Sequence, residues 1–251
     1  MGKNKLQRFA DNKTFSNVFE PSYEIVNTNA FEVKGKWHKE YFKNDHPIVL
    51  ELGCGRGEYT VGLAQLYPQK NFIGIDIKGA RLWHGANYAL KNNIQNIAFV
   101  RTRIDFIESI FNPNEVNEIW ITFPDPQPST AKEFKRLPSS RFLNRYKNVL
   151  APNGIIHLKT DNAGLYKYTL EVIKHHGLPL HFYTDNLYEL KDNDNIHIKE
   201  ARAFKTYYEE LFTGKGHVIH YIRFGLKKED LPEEKLSHKL EKYGILNEPT
   251  K

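Results

Sequence analysis

Gly53, Gly55 and Gly57 alternate directly after a short apolar run at 47–52 and lie between two acids, Glu51 and Glu58. Glycine permits a tight strand-to-helix turn and lets backbone approach a ligand closely, because it carries no Cβ. On its own such a turn also fits a purely structural role. Asp76, about 20 residues further on at the end of a second apolar run, adds an acceptor suited to ribose hydroxyls. The dinucleotide fingerprint wants Gly or Ala at the position of Glu58 for close helix packing, so Glu58 argues against a nicotinamide dinucleotide. Cys54, inside the loop, reads as a small apolar filler rather than a nucleophile. Further along, Thr122-Phe123-Pro124-Asp125-Pro126 sets an acid between two prolines, which stiffen the turn around it. Standing alone, that turn reads as a rigid corner with a capping Asp.

Strands and helices must position these groups. Strand-sized apolar runs fall at 47–52, 72–76, 97–101, 118–123, 155–159, 180–184 and 217–226. Between them, apolar residues recur at helical spacing: Tyr59, Leu63 and Leu66; Leu82, Ala86 and Ala89; Phe142, Tyr146 and Val149; and the stretch 165–175. Pro68, Asn92-Asn93 and Pro152-Asn-Gly154 stop three of these helices. Repeated strand and helix predict an α/β fold, a doubly wound, mostly parallel seven-stranded sheet with helices on both faces. In such sheets ligands sit beyond the carboxyl ends of the strands, which is where the glycine turn, Asp76 and Asp125 fall. Residues 1–45 read as a basic, partly flexible lead-in without clean periodicity, 46–226 as the α/β domain that carries these motifs and 227–251 as a charged tail, solvated or frayed, to which no function is assigned. A long polar insertion separates the last two strands.

The totals set limits. No apolar run approaches a membrane span, and the N-terminus lacks the apolar block of a signal peptide and the Ser or Thr of a myristoylation signal. A single cysteine allows no intramolecular disulfide, so a cytoplasmic location is expected. The formal charge of +6 favours a polyanionic partner, since Lys and Arg release counterions on meeting phosphate, although solubility alone explains such an excess equally well. The eleven histidines show no metal spacing, and His217 and His220, three apart on an apparent strand, point to opposite faces; no metal is expected.

The glycine turn, with its acid after the second strand, resembles the S-adenosylmethionine site of Rossmann-like methyltransferases, in which the loop cradles the amino-acid end and ribose. A carboxylate such as Glu51 suits a ligand carrying an ammonium and a sulfonium. Those enzymes often set a polar side chain against adenine after the third strand, where this chain offers Arg103 or Asp105. The loop around Asp125 differs from the Asn/Asp-Pro-Pro-aromatic loop of enzymes that methylate exocyclic amino groups, which disfavours adenine-N6 chemistry. Phe123-Pro-Asp-Pro126, Lys159-Thr-Asp-Asn162 and Thr206-Tyr-Tyr-Glu209 occur together and in order. Over about residues 48–225 that combination closely resembles the bacterial tRNA (guanine-N7)-methyltransferase family (TrmB). The resemblance implies S-adenosylmethionine as cofactor and tRNA as partner, with position 46 of the variable loop as the acceptor. It implies Glu51, Gly53, Gly55, Gly57, Asp76, Arg103 or Asp105, and Asp125 around the cofactor and active site. It also implies Asp161, Thr206, Tyr208 and Glu209 as tRNA or guanine contacts. The family usually follows the second proline with Trp and a dense Lys, Arg, His cluster; here Ser129 stands where a substrate-binding Lys is expected. Lys132, Lys135 and Arg136, slightly further on, offer phosphate-binding charge in its place, or a solvated face.

Guanine N7 carries a lone pair and no proton, so attack on a sulfonium methyl needs in-line placement rather than a general base. Asp125 is therefore expected to orient the base and offset its developing charge, and the basic lead-in, with Lys3, Lys5, Arg8 and Lys13, to meet phosphate. Two rival readings stay open: a Rossmann-like methyltransferase of another acceptor, and a non-catalytic tRNA-binding protein. Either a monomer or a homodimer fits the sequence.

Overall fold

The computed structural model describes residues 3–190, 196–233 and 235–237. Its elements run α1 (Lys3–Asn12), β1 (Val18–Phe19), α2 (Tyr23–Asn27), a π-helical turn (Trp37–Phe42), β2 (Ile48–Leu52), α3 (Glu58–Leu66), β3 (Asn71–Asp76), α4 (Gly79–Lys91), β4 (Ile97–Arg101), α5 (Ile107–Ile110) and β5 (Val116–Thr122). There follow a 3-10 turn (Thr130–Lys135), α6 (Ser140–Val149), β6 (Leu150–Thr160), α7 (Ala163–His176), β7 (Leu180–Thr184), α8 (Ile196–Arg202), α9 (Tyr207–Gly214) and β8 (His220–Gly225). The eight strands make a mixed α/β sheet, the doubly wound class expected with one strand more than the seven counted. The described chain divides into two compact units, one running to Trp120 together with Val149–Pro152, the other made of Ile121–Asn148 and the residues from Asn153 onward.

In the first unit the strands lie in the order β1-β4-β3-β2-β5, and β1 with β4, β4 with β3 and β3 with β2 are parallel. The registers Leu50↔Ile73 and Ile73↔Ala98 align three strands whose residues are buried almost throughout. Unbroken apolar runs are what parallel strands covered on both faces require. The extra strand comes from the lead-in, which reads as basic and partly flexible and to which the sequence assigns no strand. Val18 pairs with Phe99 and Phe19 with Val100. Its aromatics explain the ordering: Trp37 is fully buried, stacks on Phe111 at 5.7 Å, meets Phe19 edge-on at 5.1 Å and donates from Nε1 to the Ile110 carbonyl. Packed rings of this kind add to their burial rather than merely filling space. Helix α1 docks on α4 through polar pins: Asn12 donates to the Gly79 carbonyl, and Trp83 Nε1 donates to Asp11.

In the second unit the order is β6-β8-β7, with both neighbouring pairs antiparallel. Helix α7 begins at Asn162, whose side chain accepts from the Leu165 N–H, and ends at Gly177 in the left-handed region after Lys174, His175 and His176. An Asn cap first and a left-handed Gly last is the expected asymmetry. Two boundaries differ from expectation. Strand β6 starts at Leu150 and runs through Pro152-Asn-Gly154, with Asn153 at positive φ. Strand β8 starts at His220, so His217 precedes it and the two histidines do not share a strand. The polar insertion holds α8 and α9. The described part of the tail is mostly exposed but anchored, with Leu231, Leu236 and Ser237 buried; residues 238–251 lie outside the described residues.

Candidate functional site

The glycine loop sits where β2 hands over to α3. Gly53, Gly55 and Gly57 have φ of 75°, 55° and 72°, a region costly for any residue with a Cβ. Their surroundings separate their roles. A Cβ on Gly57 would stand 2.6 Å from the Phe99 ring and 3.2 Å from the Cα of Gly85. Gly57 is thus needed for packing. A Cβ on Gly53 would meet nothing within 4 Å, and one on Gly55 only the Gly53 carbonyl at 4.0 Å. Those two glycines border open space, the room a ligand lying along the backbone would use.

Two carboxylates shape the loop. Glu51 is buried, and its Oε2 accepts from both the N–H and the hydroxyl of Thr60 in the first turns of α3. An acid there is favoured by the positive end of the helix. Glu51 therefore fixes the loop to the helix, a part that Thr60 plays with it and that sequence reading did not foresee. Asp76, half-buried, accepts from the Gly55 N–H at 2.8 Å and from the Lys78 N–H at 2.7 Å, one bond per carboxylate oxygen. Each oxygen keeps a second lone pair for a ligand hydroxyl. Ile77, beside it, is 56% exposed; an apolar residue directly after a strand-end acid was the available signal. Cys54 is buried, and burial, then the charges of Glu51 and Asp76, push its thiol well above its usual range, so it is the filler expected. Arg103 and Asp105 pair with each other at 3.2 Å, Arg103 being well exposed. The loop, Asp76, Arg103 and Asp105 all belong to the first unit.

The acceptor residues belong to the second unit. Asp125 is exposed between Pro124 and Pro126, and the residues flanking the prolines, Phe123 and Gln127, both adopt positive φ, 47° and 45°. A bulky Phe in that region is a strained position that its surroundings must enforce. The enforcing bonds are visible. The Phe123 N–H donates to the Lys159 carbonyl at 2.8 Å, the Gln127 N–H donates to Asp125 Oδ1 at 3.1 Å, and Arg136 Nε donates to the Gln127 carbonyl at 3.1 Å. Arg136 is 3% exposed, so the expectation that it binds phosphate is corrected; its guanidinium is spent inside the protein. Lys132 and Lys135 are exposed, as is Ser129.

Glu209 is likewise corrected as a surface contact. It is fully buried and paired with the fully buried ammonium of Lys159 at 2.8 Å. Lys159 also donates to the Ala201 carbonyl at 2.7 Å, and the Tyr188 hydroxyl donates to Glu209 at 2.5 Å. Burial, then the Glu209 charge, raises the Tyr188 phenol above its usual range, which keeps it a donor. Such full bonding is the condition under which a buried ion pair is tolerated. Thr206 caps α9, its hydroxyl accepting from the Glu209 N–H at 3.1 Å. Tyr207 is exposed; the side chain of Tyr208 lies outside the described residues. Asp161 is half-buried, with His217 Nδ1 at 3.9 Å. Sequence reading gave Lys159 no role, although a charged residue inside the apolar run Ile155-Ile-His-Leu-Lys was a signal. Glu133, buried and bonded to the N–H groups of Leu236 and Ser237, left no signal in its charged neighbourhood.

Among the described residues no helix is long and apolar enough to cross a membrane, and no group of three His, Cys, Asp or Glu side chains is placed to hold a metal.

A family model described as "Putative methyltransferase" matches residues 45–222. A tRNA (guanine-N(7)-)-methyltransferase of Bacteroides fragilis is 50% identical over 248 residues, 98% of this chain and 96% of that protein. Its counterpart in Christiangramia forsetii is 51% identical over 90% of this chain and 99% of its own. Among solved structures, the 16S rRNA methyltransferase KamB superposes with a TM-score of 0.55 at 12% identity, covering 76% of this chain and 90% of that one. An antibiotic-related methyltransferase gives 0.53 at 16% identity, covering 73% and 88%. These two likenesses concern the fold.

Proposed function

The chain belongs to the tRNA (guanine-N7)-methyltransferase family, and we propose that it transfers a methyl group from S-adenosylmethionine to N7 of a guanine in tRNA, the one at position 46 of the variable loop. The observation that carries the reading is Asp125, an exposed carboxylate in a turn stiffened by two prolines and held in strained backbone on both sides.

S-adenosylmethionine supplies a methyl group activated on a sulfonium. The open space beside Gly53 and Gly55 suits its amino-acid end and ribose, the remaining lone pairs of Asp76 suit the ribose hydroxyls, and the exposed face of Ile77 suits adenine. Arg103 and Asp105 stand as polar partners for the base. Guanine N7 needs no deprotonation, so the protein's work is orientation. Asp125 accepts from guanine N1–H and N2–H and offsets the positive charge that the base acquires on methylation. Asp161 and Thr206 help hold the nucleotide, with Glu209 supporting them from the interior. Exposed Lys132 and Lys135, together with Lys5 and Lys13, supply contacts to phosphate; Arg8 is engaged over the Trp83 ring at 5.2 Å.

The test is incubation of the protein with labelled S-adenosylmethionine and bulk tRNA, followed by nucleoside mapping. Labelled 7-methylguanosine at position 46 is the expected result. Label in another nucleoside, or tRNA binding with no turnover, overturns it.

A further inference from the structure

Arg136 was expected at the surface and is instead buried and heavily engaged beside the Asp125 turn. Its planar guanidinium spends all three nitrogens: Nε donates to the Gln127 carbonyl at 3.1 Å, Nη2 to the Pro128 carbonyl at 3.3 Å and Nη1 to the Ser237 hydroxyl at 2.6 Å. One face lies over the Tyr168 ring with 4.4 Å to its centroid. Ser237 is itself pinned, since its N–H and that of Leu236 donate to the buried carboxylate of Glu133 at 3.0 and 2.8 Å. Leu231 is fixed on Asn144 by a reciprocal pair of bonds. The chain after β8 is thus strapped beneath the segment that follows Asp125.

The consequence concerns Gln127. Its N–H is held by the Asp125 carboxylate and its carbonyl by Arg136, so the residue is clamped at both of its peptides while φ stands at 45°. Gln lacks glycine's tolerance of that region and relaxes towards negative φ unless both ends are held. Relaxation removes the N–H that anchors the Asp125 carboxylate. We propose that Arg136 is a positioning residue for Asp125, aiming its carboxylate through Gln127, and that the segment around Leu236 and Ser237 keeps Arg136 in place. The inference rests on the role given to Asp125 above. It assigns the tail, which as a sequence carried no function, to the acceptor site. Lysine does not replace arginine here, because one ammonium on a flexible stem does not serve three acceptors spread across a plane.

The test is a double-mutant cycle on the full chain with tRNA and S-adenosylmethionine, using Arg136→Lys, Asp125→Asn and both together. Arg136→Lys is expected to lower kcat at saturating tRNA by about tenfold, with the Kd for S-adenosylmethionine unchanged. In the Asp125→Asn background the same change costs less than about twofold, because residues that act as a unit are not additive. Equal losses in the two backgrounds overturn the inference. So does a loss confined to a raised KM for tRNA with a flatter salt dependence, which marks a phosphate contact. If Arg136→Lys does not fold, Ser237→Ala, which removes one acceptor, takes its place in the cycle with the same pattern expected and the same result fatal. If Asp125→Asn alone leaves turnover intact, the reading of Asp125 fails and this inference with it; if Asp125→Asn is impaired but the cycle is additive, only the inference fails.

Discussion

The two loops that carry the chemistry solve the same backbone problem by opposite means. Both need residues at positive φ directly after a strand. The loop after β2 uses Gly53, Gly55 and Gly57, for which that region carries no steric cost. The turn after β5 uses Phe123 and Gln127, for which it does, and the difference is met by bonds from Lys159, Arg136 and Asp125. Lys159 holds Phe123 through its carbonyl and Glu209 through its ammonium; Arg136 holds Gln127 and Pro128. A cofactor loop built on glycine takes its backbone shape without steric cost, and Ile75 and Asp76 anchor it. An acceptor turn built on strained residues is only as well formed as the buried charges that hold it.

That contrast breaks most sharply at Lys159. Lys159→Met leaves the Glu209 carboxylate buried without its cation, and a loss of about 3–5 kcal/mol is expected in urea denaturation. Adding Glu209→Met removes the stranded charge as well and should recover most of the stability. A single variant within about 1 kcal/mol of the parent would mean that the acceptor half does not depend on this pair. The next largest effect is catalytic. Asp125→Asn keeps an oxygen for the Gln127 N–H, and so keeps the turn, but removes the charge. Turnover should fall about 10²-fold with affinity for S-adenosylmethionine unchanged, a magnitude typical of losing one preorganised electrostatic partner. Near-full turnover would withdraw Asp125 from the chemistry.

The glycines sharpen the other side. Gly57→Ala adds a Cβ into the Phe99 ring and against Gly85 at a left-handed position, and should cost about 2–4 kcal/mol in thermal unfolding. Gly53→Ala meets open space and bears only the backbone term of about 1–2 kcal/mol. Titration calorimetry with S-adenosylmethionine should show the reverse ranking for Gly53, with weakened binding out of proportion to its stability loss. Equal effects of the two substitutions on both measurements would erase the division between packing glycine and ligand-facing glycine.

The same contrast decides what could be read from the sequence. The strand and helix alternation, the glycine loop and Asp76 were legible because each depends on local pattern: unbroken apolar runs, positive φ relieved by Gly, an acid at a strand end. The acceptor residues could be named by motif but not by job. Glu209 and Arg136 look like surface charges in a row of letters, and only tertiary partners 50 and 101 residues away, Lys159 and Ser237, put them inside. The lead-in looked irregular because its order comes from rings meeting across the chain, Trp37 on Phe111 and Phe19, and not from any period. Helix α1 was missed for a related reason, being largely polar and held by side-chain bonds to α4.

The smallest effect expected lies at His220, the first residue of β8 in the acceptor half. Its ring stacks on Tyr166 at 4.6 Å and 18°, and burial lowers its pKa below the ordinary 6.5, outweighing the opposite pull of Asp185 and Asp161; Lys167 acts with burial. A pKa lower in the folded than in the unfolded chain means that the unfolded chain binds the proton more readily. Stability from the neutral ring is therefore fully present above the unfolded value and is lost as pH falls through the folded value. Tyr166, pushed up to about 12 chiefly by burial, stays protonated throughout that window. Replacing His220 by Phe keeps a ring on Tyr166 but removes the titration. Between pH 7 and pH 5 the parent protein should lose more thermal stability than His220→Phe. Parallel curves would mean that the ring carries its proton equally in both states, and that this part of the acceptor half, unlike Lys159 and Glu209, does not rest on a buried titratable group.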